Sequence, residues 1–534
     1  MFAPQNQQPN VIDSMNGSME EWYNAVDEAV KKSEVIPGNY EYTVATSYGN
    51  VGSIPEGSST NFDIACDRFK VISLDNSFIT IEQDVQIEFP KHDDATVKTY
   101  YIGYKYAADA IDQYRIYSNT DNIYTQNFAN YEWFMTYNSI SDEAKENSDL
   151  FATVDKIRQK NPFVPGVYVE LGNTEAKTVT VHLKVRIPVS SFLMLQNLRF
   201  FPNWSGKLTI EVYPSYKNLV ICPVVPDVVL LRNKFQTVIE KGIDDIELGF
   251  KNINQSMKNH IVGKDIGKET ESWTIASQTF KCNGAGCQAD KCKIRLATYL
   301  LKMDVFNALA AKYIQIPLIF PIQTLQIKDF TNPLLADAST FTTANTVALK
   351  HCDAMFTVFK RDVHARTCFE NPFITFQFNV DGRMYPREQI STYEDERFIN
   401  QTLDALNLNN SLLTSLGKDL RNSLQPYYRA QKVAEDGTLT TEIVYNDGDN
   451  SNFMIGLPFC DSEDFMGGIS TAGTVQIELA GNRPATGFTN KQYSCTAICF
   501  EDALMKIRAM KPDGRSQIEI TNASIEQLLA GQAS

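Results

Sequence analysis

The sequence repeats itself once at low similarity, and this internal repeat constrains the fold more than any single motif does. Three short segments, 116–119 (IYSN), 123–124 (IY) and 131–132 (YE), recur in the same order as 376–379 (FQFN), 384–385 (MY) and 393–394 (YE). Residue 119 matches 379, 124 matches 385 and 131 matches 393, so the separations are 260, 261 and 262. Because a duplicated domain keeps the order of its elements while its loops change length, the pattern predicts two related domains.

Two further pairs of segments match later in each half. Residues 186–188 (RIP) match 456–458 (GLP), and 205–212 (SGKLTIEV) match 472–479 (AGTVQIEL), so that 188 pairs with 458 and 206 with 473. The longer segment of each pair is a predicted strand that begins after a turn made of a small residue and glycine. Chance similarity between β-rich segments is the alternative explanation, and the shared order favours duplication.

Alternation of apolar and polar residues predicts many short strands in both halves. Residues 177–187 (KTVTVHLKVRI) alternate strictly, and 78–89 (FITIEQDVQIEF) alternate over most of their length. Such alternation is typical of strands with one buried face, and the turn residues between the runs favour antiparallel sheets. We therefore expect an all-β protein with helical insertions in which each half is a β-sandwich or an eight-stranded jelly roll. Two tandem eight-stranded jelly rolls, a double jelly roll, are the fold that the family resemblance described below implies.

The expected domain limits follow from the repeat and from helical periodicity. The expected segments are an N-terminal arm helix over 1–34, a first jelly roll over 35–222 with a helical insertion at about 107–162, a connector over 223–270, a second jelly roll over 271–482 with a helical insertion at about 394–425, and a C-terminal arm over 483–534.

The charge of the chain argues against a surface that binds nucleic acid phosphates. The net charge is −15, whereas phosphate binding needs a basic surface. One modest basic cluster (Lys506, Arg508, Lys511 and Arg515) is interpreted as solvated surface, with an inward-facing arm that touches a genome as the alternative.

The first residues carry no secretory signal, and no apolar run reaches the roughly 20 residues of a transmembrane helix. We expect a soluble protein made inside a cell.

Three of the ten cysteines, Cys282, Cys287 and Cys292, are spaced five residues apart. Zinc sites usually place their cysteines closer together and need a fourth ligand, for which His351 or His364 is a candidate. A metal site, a local disulfide and ordinary thiols all stay open, and the spacing favours ordinary thiols.

The side chains that carry most enzymatic chemistry do not form a recognisable pattern. The five histidines (His92, His182, His260, His351 and His364) are scattered, and no zinc-protease, serine-hydrolase or P-loop motif occurs. The acidic runs at 244–245 and 394–396 are interpreted as solvated acids. We expect no catalytic residue, no cofactor-binding residue and no metal ligand. One function with a ligand stays open as an alternative to a purely structural role. It is a carbohydrate-binding or glycosidase-like double β-sandwich in which Trp204 stacks on a sugar.

Several segments resemble the major capsid proteins of the double jelly-roll lineage, in particular those of Polinton (Maverick) elements and related small DNA viruses, virophages and adenovirus-like agents. The segments that carry the likeness are 104–134, 145–171, 187–212 and 456–481, and it covers most of residues 60–480. In that family three chains form a pseudo-hexagonal capsomer, because three copies of two similar domains give six similar edges.

The resemblance implies a structural role without catalysis. It implies a homotrimer that assembles with neighbouring capsomers, and with penton or minor capsid proteins, into an icosahedral shell around a DNA genome. It implies no sequence-specific contact with nucleic acid, no cofactor and no small-molecule substrate. The protein would be made in the host cell, not secreted, and located in the virion. The helical insertions would be loops between the fifth and sixth strands of each jelly roll, and the two terminal arms would lie under the shell.

Overall fold

The structure of the protein is a computed structural model, and not every residue is described. The described residues are 10–31, 35–49, 52–55, 57–65, 69–89, 99–118, 121–153, 156–157, 159–171, 177–202, 206–224, 273–275, 278–315, 318–335, 338–360, 369–372, 375–392, 396–406, 424, 427–433, 436–445, 452–460, 467–471, 473–482, 492–508 and 517–521.

Fifteen named strands lie before residue 302 in the described part of the chain. They are β1 (Val35–Thr46), β2 (Ser53–Ile54), β3 (Thr60–Ile64), β4 (Lys70–Phe89), β5 (Thr99–Gly103), β6 (Ile111–Ser118), β7 (Asp121–Gln126), β8 (Gly166–Glu170), β9 (Lys177–Pro188), β10 (Phe200–Pro202), β11 (Leu208–Pro214), β12 (Val220–Val224), β13 (Trp273–Ile275), β14 (Gln278–Gln288) and β15 (Lys293–Leu301).

The later strands and the helices complete the named elements. The strands are β16 (Leu318–Asp329), β17 (Thr340–Val347), β18 (Cys352–Lys360), β19 (Thr375–Val380), β20 (Arg383–Ser391), β21 (Tyr427–Val433), β22 (Leu439–Tyr445), β23 (Ile455–Pro458), β24 (Val475–Asn482), β25 (Ser494–Arg508) and β26 (Gln517–Thr521). The helices are α1 (Asn10–Lys31), α2 (Ala129–Ser139), α3 (Asp142–Asn147), α4 (Met303–Gln315) and α5 (Glu396–Ala405).

Eight strands of the first half form two antiparallel sheets with the order of a jelly roll. One sheet contains the run β1-β15-β4-β9, and the other has the order β3-β11-β6-β7. If these eight strands are numbered along the chain, the sheets read first-eighth-third-sixth and second-seventh-fourth-fifth. The short strands β2, β10 and β13 and the longer strand β14 extend the first sheet. Strands β12, β5 and β8 form a separate three-stranded sheet.

The second half repeats the same order. Its sheets are β16-β25-β18-β23 and β17-β24-β19-β20, which again read first-eighth-third-sixth and second-seventh-fourth-fifth. The segments matched in the sequence occupy equivalent places: the hairpin β6–β7 corresponds to β19–β20, and β11 corresponds to β24. The expected fold class, two tandem eight-stranded jelly rolls with helical insertions, is confirmed.

Burial along β9 explains why alternation identified the strands. Val181, Leu183, Val185 and Ile187 are buried, while His182, Lys184 and Arg186 between them are exposed. Because successive side chains of a strand point to opposite faces, one face enters the core and the other meets solvent. Most of the buried apolar side chains of the two jelly rolls belong to one continuous cluster. A smaller, separate cluster lies at the three-stranded sheet of β12, β5 and β8.

The limit expected between the jelly rolls differs from the strand pairing. The sequence placed residues from 271 onward in the second jelly roll, yet β14 and β15 both pair with β4. Strand β15 also pairs with β1, so it is the eighth strand of the first jelly roll. The predicted connector at 223–270 lies almost entirely outside the described residues. Alternation shows that a strand has a buried face but not which sheet it joins. The sequence pattern therefore could not assign β15 to the first jelly roll.

The C-terminal arm expected over 483–534 is also corrected. Strand β25 pairs with both β16 and β18 and is the eighth strand of the second jelly roll. Strand β26 then pairs with β25. A strand bonded on both edges is integral to its sheet, so at least residues 494–508 belong to the domain and not to an arm.

The helical insertions lie between the fifth and sixth strands of each jelly roll, as the resemblance implied. In the first, α2 and α3 fall between β7 and β9, but residues 111–118 and 121–126 of the expected insertion form β6 and β7 instead. In the second, α5 and the hairpin β21–β22 fall between β20 and β23. Residues 407–423 of the second expected insertion lie outside the described residues.

The expected N-terminal helix is present as α1. Its buried side chains Trp22, Val26 and Ala29 recur at helical spacing and belong to the common core. Helix α4, which the sequence analysis did not predict, connects the last strand of the first jelly roll to the first strand of the second.

Candidate functional site: the contact between the two jelly rolls

An aromatic cluster joins the insertion of the first jelly roll to the second jelly roll. The ring of Phe369, between β18 and β19, stacks on Tyr131 of α2 with centroids 5.7 Å apart and planes inclined by 19°. Phe134, one turn further along α2, meets Phe369 edge to face at 4.6 Å. All three side chains are buried. Aromatic pairs at these distances add to the stabilisation from burial alone.

A buried lysine makes a polar contact across the same boundary. Lys105 Nζ donates to Asn452 Oδ1 at 3.0 Å, and Tyr106 Oη donates to the same oxygen at 3.1 Å. The Lys105 ammonium also lies 5.7 Å from the ring centroid of Tyr137. Because a buried charge is costly without polar partners, these contacts favour one arrangement of the two domains.

Helix α1 contacts both jelly rolls. The indole Nε1 of Trp22 donates to the carbonyl of Phe200 in the first jelly roll at 3.1 Å, and its ring meets Tyr313 of α4 at 5.3 Å. The ring centroid of the next residue, Tyr23, lies 6.3 Å from that of Phe320 on β16 in the second jelly roll. The helix is therefore packed as part of the core and is not a free arm over residues 19–29.

A cavity of about 230 Å³ lies between the two jelly rolls. The first jelly roll contributes α2 and the turn at 193–196, and the second contributes β16, β18, the end of β23 and α5. Three carboxyl groups line the cavity: those of Glu132, Asp353 and Asp404. The ionisation of these three carboxyl groups determines how much negative charge lies in the cavity between the two jelly rolls.

Burial raises the pKa of Glu132 to about 7. Hydrogen-bond donors partly offset the cost of burying this carboxylate: Tyr114 Oη donates to Oε2 at 2.6 Å, the backbone N–H of Leu193 donates to Oε1, and the side chain of Gln126 is a further donor. Burial, together with the neighbouring carboxyl of Asp502, raises the pKa of Asp353 to about 7. Cys460 Sγ donates to Asp353 Oδ1 at 3.3 Å.

The structure brings together two of the three clustered cysteines. The sulfurs of Cys287 and Cys292 are 3.3 Å apart and both side chains are buried, while the side chain of Cys282 lies outside the described residues. Among the described residues no group of three or more His, Cys, Asp or Glu side chains is placed to hold a metal ion.

The described histidines do not lie in a shared site. The exposed ring of His182 contacts Asp84 Oδ1 through Nδ1 at 2.6 Å, and Asp84 also pairs with Lys291 at 2.9 Å. His351 lies in the turn before β18. The other three histidines lie outside the described residues.

The groups that a carbohydrate-binding reading needs are only partly described. Trp204 and the acids at 244–245 lie outside the described residues. Trp22 and Trp133 are fully buried, so neither indole is available for stacking on a sugar. Of the acidic run at 394–396, only Glu396 is described, and it begins α5.

The basic cluster near the C-terminus is only partly described. Lys506 lies on β25 and is partly buried, whereas Lys511 and Arg515 lie outside the described residues. No helix in the described ranges is long and apolar enough to cross a membrane.

Sequence reasoning missed the polar residues at the contact between the domains. Glu132 was part of the repeated Tyr-Glu pair at 131–132, so the repeat did mark it, although not as a buried acid. Lys105 and Asn452 are 347 residues apart and carried no local signal.

Two jelly rolls of equal topology, joined by a continuous core, define a double jelly-roll protein. The chain is similar in fold to the mavirus major capsid protein, with 11% identity, a TM-score of 0.53 and 92% of each chain covered. Similarities of lower score include a chain of the Sputnik virophage (10% identity, TM-score 0.44, 93% of this chain and 91% of that chain) and the Faustovirus major capsid protein (10% identity, TM-score 0.41, 94% and 99%). No protein-family model matches the chain. No curated protein matches it.

Proposed function

We propose that this protein is the major capsid protein of a DNA virus or virus-like mobile element. The observation that carries the proposal is the repeated strand order: two jelly rolls with the same sheet topology lie in one chain, joined by buried contacts. The fold similarity to the mavirus major capsid protein supports it over almost the full length.

The geometry suits assembly into a pseudo-hexagonal unit. Three copies of a chain with two similar domains present six similar edges, so a homotrimer can occupy a position surrounded by six neighbours. This requires a fixed relation between the domains, and the aromatic cluster around Phe369 and the Lys105–Asn452 contact supply it.

The proposed role is structural, and its partners are proteins. The principal partner is the chain itself, first in the trimer and then between capsomers, with penton or minor capsid proteins as further partners. We propose no catalytic activity, no cofactor, no small-molecule substrate and no sequence-specific nucleic acid contact. The location is the capsid shell of a virion, after synthesis in the host cell without secretion.

Light scattering of the purified protein tests the proposal. A trimer would have a mass of three times 60.2 kDa, and electron microscopy of concentrated samples should then reveal shells or ordered sheets of capsomers. A monomer at every concentration tested, with or without coexpressed minor proteins, would contradict the proposal. Specific binding by that monomer on a glycan array would favour the carbohydrate-binding alternative.

A further inference from the structure

The pairing of the chain with β4 is interrupted between two consecutive strands, β14 and β15. Strand β14 pairs with β4 over residues 281–287, and β15 pairs with the same strand from residue 293 onward. Between them, Ala289–Lys291 form one turn of 3₁₀ helix. Cys287 stands before this turn and Cys292 directly after it.

The two sulfurs face each other across the turn. Their separation of 3.3 Å is too long for a bond and short enough that a small movement would form one. The backbone holds the turn in place: the N–H of Cys292 donates to Ala289 O at 3.2 Å, and the N–H of Ala289 donates to Gly52 O at 2.8 Å. The N–H of Ser47 donates to Cys292 O at 2.9 Å, which ties the same turn to β1.

We propose that Cys287 and Cys292 are a modification site, at which a reversible intramolecular disulfide forms when the protein meets a small peroxide such as hydrogen peroxide. The burial of both thiols, 3% and 0% exposed, restricts the reaction to an oxidant of about the size of water. The proposal is independent of the proposed capsid function, because it concerns two side chains of the same chain.

The chemistry balances with hydrogen peroxide as the oxidant. The thiolate of Cys292 attacks one peroxide oxygen, the O–O bond breaks, and a sulfenic acid and a water molecule result once the leaving hydroxide takes a proton. The sulfur of Cys287 then loses its proton and attacks the sulfenic sulfur, which releases a second water and forms the S–S bond. Two thiols are oxidised and one peroxide is reduced to two waters.

The environment assigns the first step to Cys292. The hydrogen bond from Cys287 lowers the pKa of Cys292, and the same interaction, with burial, raises the pKa of Cys287. The thiolate is the nucleophile in such reactions, so Cys292 attacks and Cys287 resolves.

Such a bond would distinguish protein inside a reducing cell from protein exposed to oxidants. The disulfide would close a loop of only a few residues. It would therefore restrict the unfolded chain little and add little to the stability of the fold through that restriction. Its main effect would be to close the break between β14 and β15 and to hold the eighth strand of the first jelly roll against β4.

Peptide mapping of the folded full-length protein tests the proposal. The protein is treated with hydrogen peroxide, unfolded, alkylated with iodoacetamide and digested with trypsin. Cleavage after Lys281, Lys291 and Lys293 yields the peptides 282–291 and 292–293. We expect these two peptides to be joined after peroxide treatment and separate after reduction.

Two variants assign the linkage. Cys282→Ser should retain the joined peptides, whereas Cys287→Ser should lose them, because Cys282 and Cys287 lie in one tryptic peptide. Alkylation of both Cys287 and Cys292 after peroxide treatment of the folded wild type would overturn the proposal, and so would a linkage through Cys282. The wild-type mapping decides the matter even if a variant does not fold.

Discussion

The ring of Tyr131 in the first jelly roll stacks on the ring of Phe369 in the second, 5.7 Å apart and within 19° of parallel. Tyr131 lies in the insertion between the fifth and sixth strands, so this insertion packs against the neighbouring domain over at least part of its length. Its hydroxyl donates to Thr496 Oγ1 of β25 at 3.4 Å. One helix thus contacts two separate parts of the second jelly roll.

Replacing Phe369 by alanine should destabilise the protein through loss of the contact between domains. The fully buried ring touches Tyr131 and Phe134, so the substitution should lower the free energy of unfolding by about 3–5 kcal/mol. Chemical denaturation monitored by fluorescence measures this loss. Phe163→Ala is the matched control, since that ring is 57% exposed and should cost much less. Equal effects of the two variants would contradict the role of the cluster.

The stability of the protein should depend on pH through Glu132. Its pKa is about 7 in the folded protein, above the roughly 4.3 of an unfolded chain, so the folded state binds a proton that the unfolded state releases. The stabilisation is full below about pH 4 and is lost as pH rises to about 7, with a slope of up to about 1.4 kcal/mol per pH unit.

The variant Glu132→Gln should remove this contribution, because the amide does not ionise. Denaturation at several pH values between 4 and 8 should show a shallower decline than in the wild type. Glu143→Gln, at an exposed position of α3, is the control and should retain the wild-type slope. An unchanged slope in the Glu132 variant would refute the assignment.

A side chain at Gly456 should disrupt the packing of α5 on β23. A β-carbon there would lie 2.8 Å from Ala405 Cβ and 2.9 Å from Thr402 Cα, closer than atoms of this kind approach each other. Gly456→Ala should therefore cost about 1–3 kcal/mol of stability, measured by thermal or chemical denaturation. Gly473→Ala is the control, because its β-carbon would have no neighbour within 4 Å. A neutral Gly456 variant would show that the helix moves without cost.

Truncating Trp22 should loosen α1 from the two jelly rolls. The variant Trp22→Ala loses a fully buried indole and its hydrogen bond to Phe200 O, so we expect a loss of about 3–5 kcal/mol. Limited proteolysis should then cut within 10–31 sooner than in the wild type. Glu20→Ala, on the exposed side of the helix, should leave the cleavage rate unchanged. Resistance of both variants would mean that the helix is held by other contacts.

The sequence predicted the sheets best where the repeat was visible. The matches between 116–132 and 376–394 correspond to β6–β7 and β19–β20, followed by α2 and α5. The eighth strands were misplaced in both halves. Strand β15 begins at Lys293, long after β11 ends at Pro214, and nothing local shows that it returns to β1 and β4. Strand β25 begins at Ser494, soon after β24 ends at Asn482, but its alternation does not show that it pairs with β16 and β18.

The contact between the domains was less predictable than the domains themselves. Phe369 was one aromatic among many, and its partner Tyr131 lies more than 200 residues away in the chain. The spacing of Cys287 and Cys292 was visible, but it left open whether the sulfurs meet. Only the turn at 289–291 brings them to 3.3 Å.

What the sequence determined by itself is mainly local: where most of the strands lie, which face of each strand is buried, and that the pattern occurs twice in the same order. These follow from side-chain periodicity, which acts over a few residues. The tertiary structure alone decided which strand completes each sheet, where one jelly roll ends, and which acids, aromatic rings and thiols meet. Those outcomes depend on contacts between residues far apart in the chain, where hydrogen-bond register and the space left in the core select one partner among several of similar pattern.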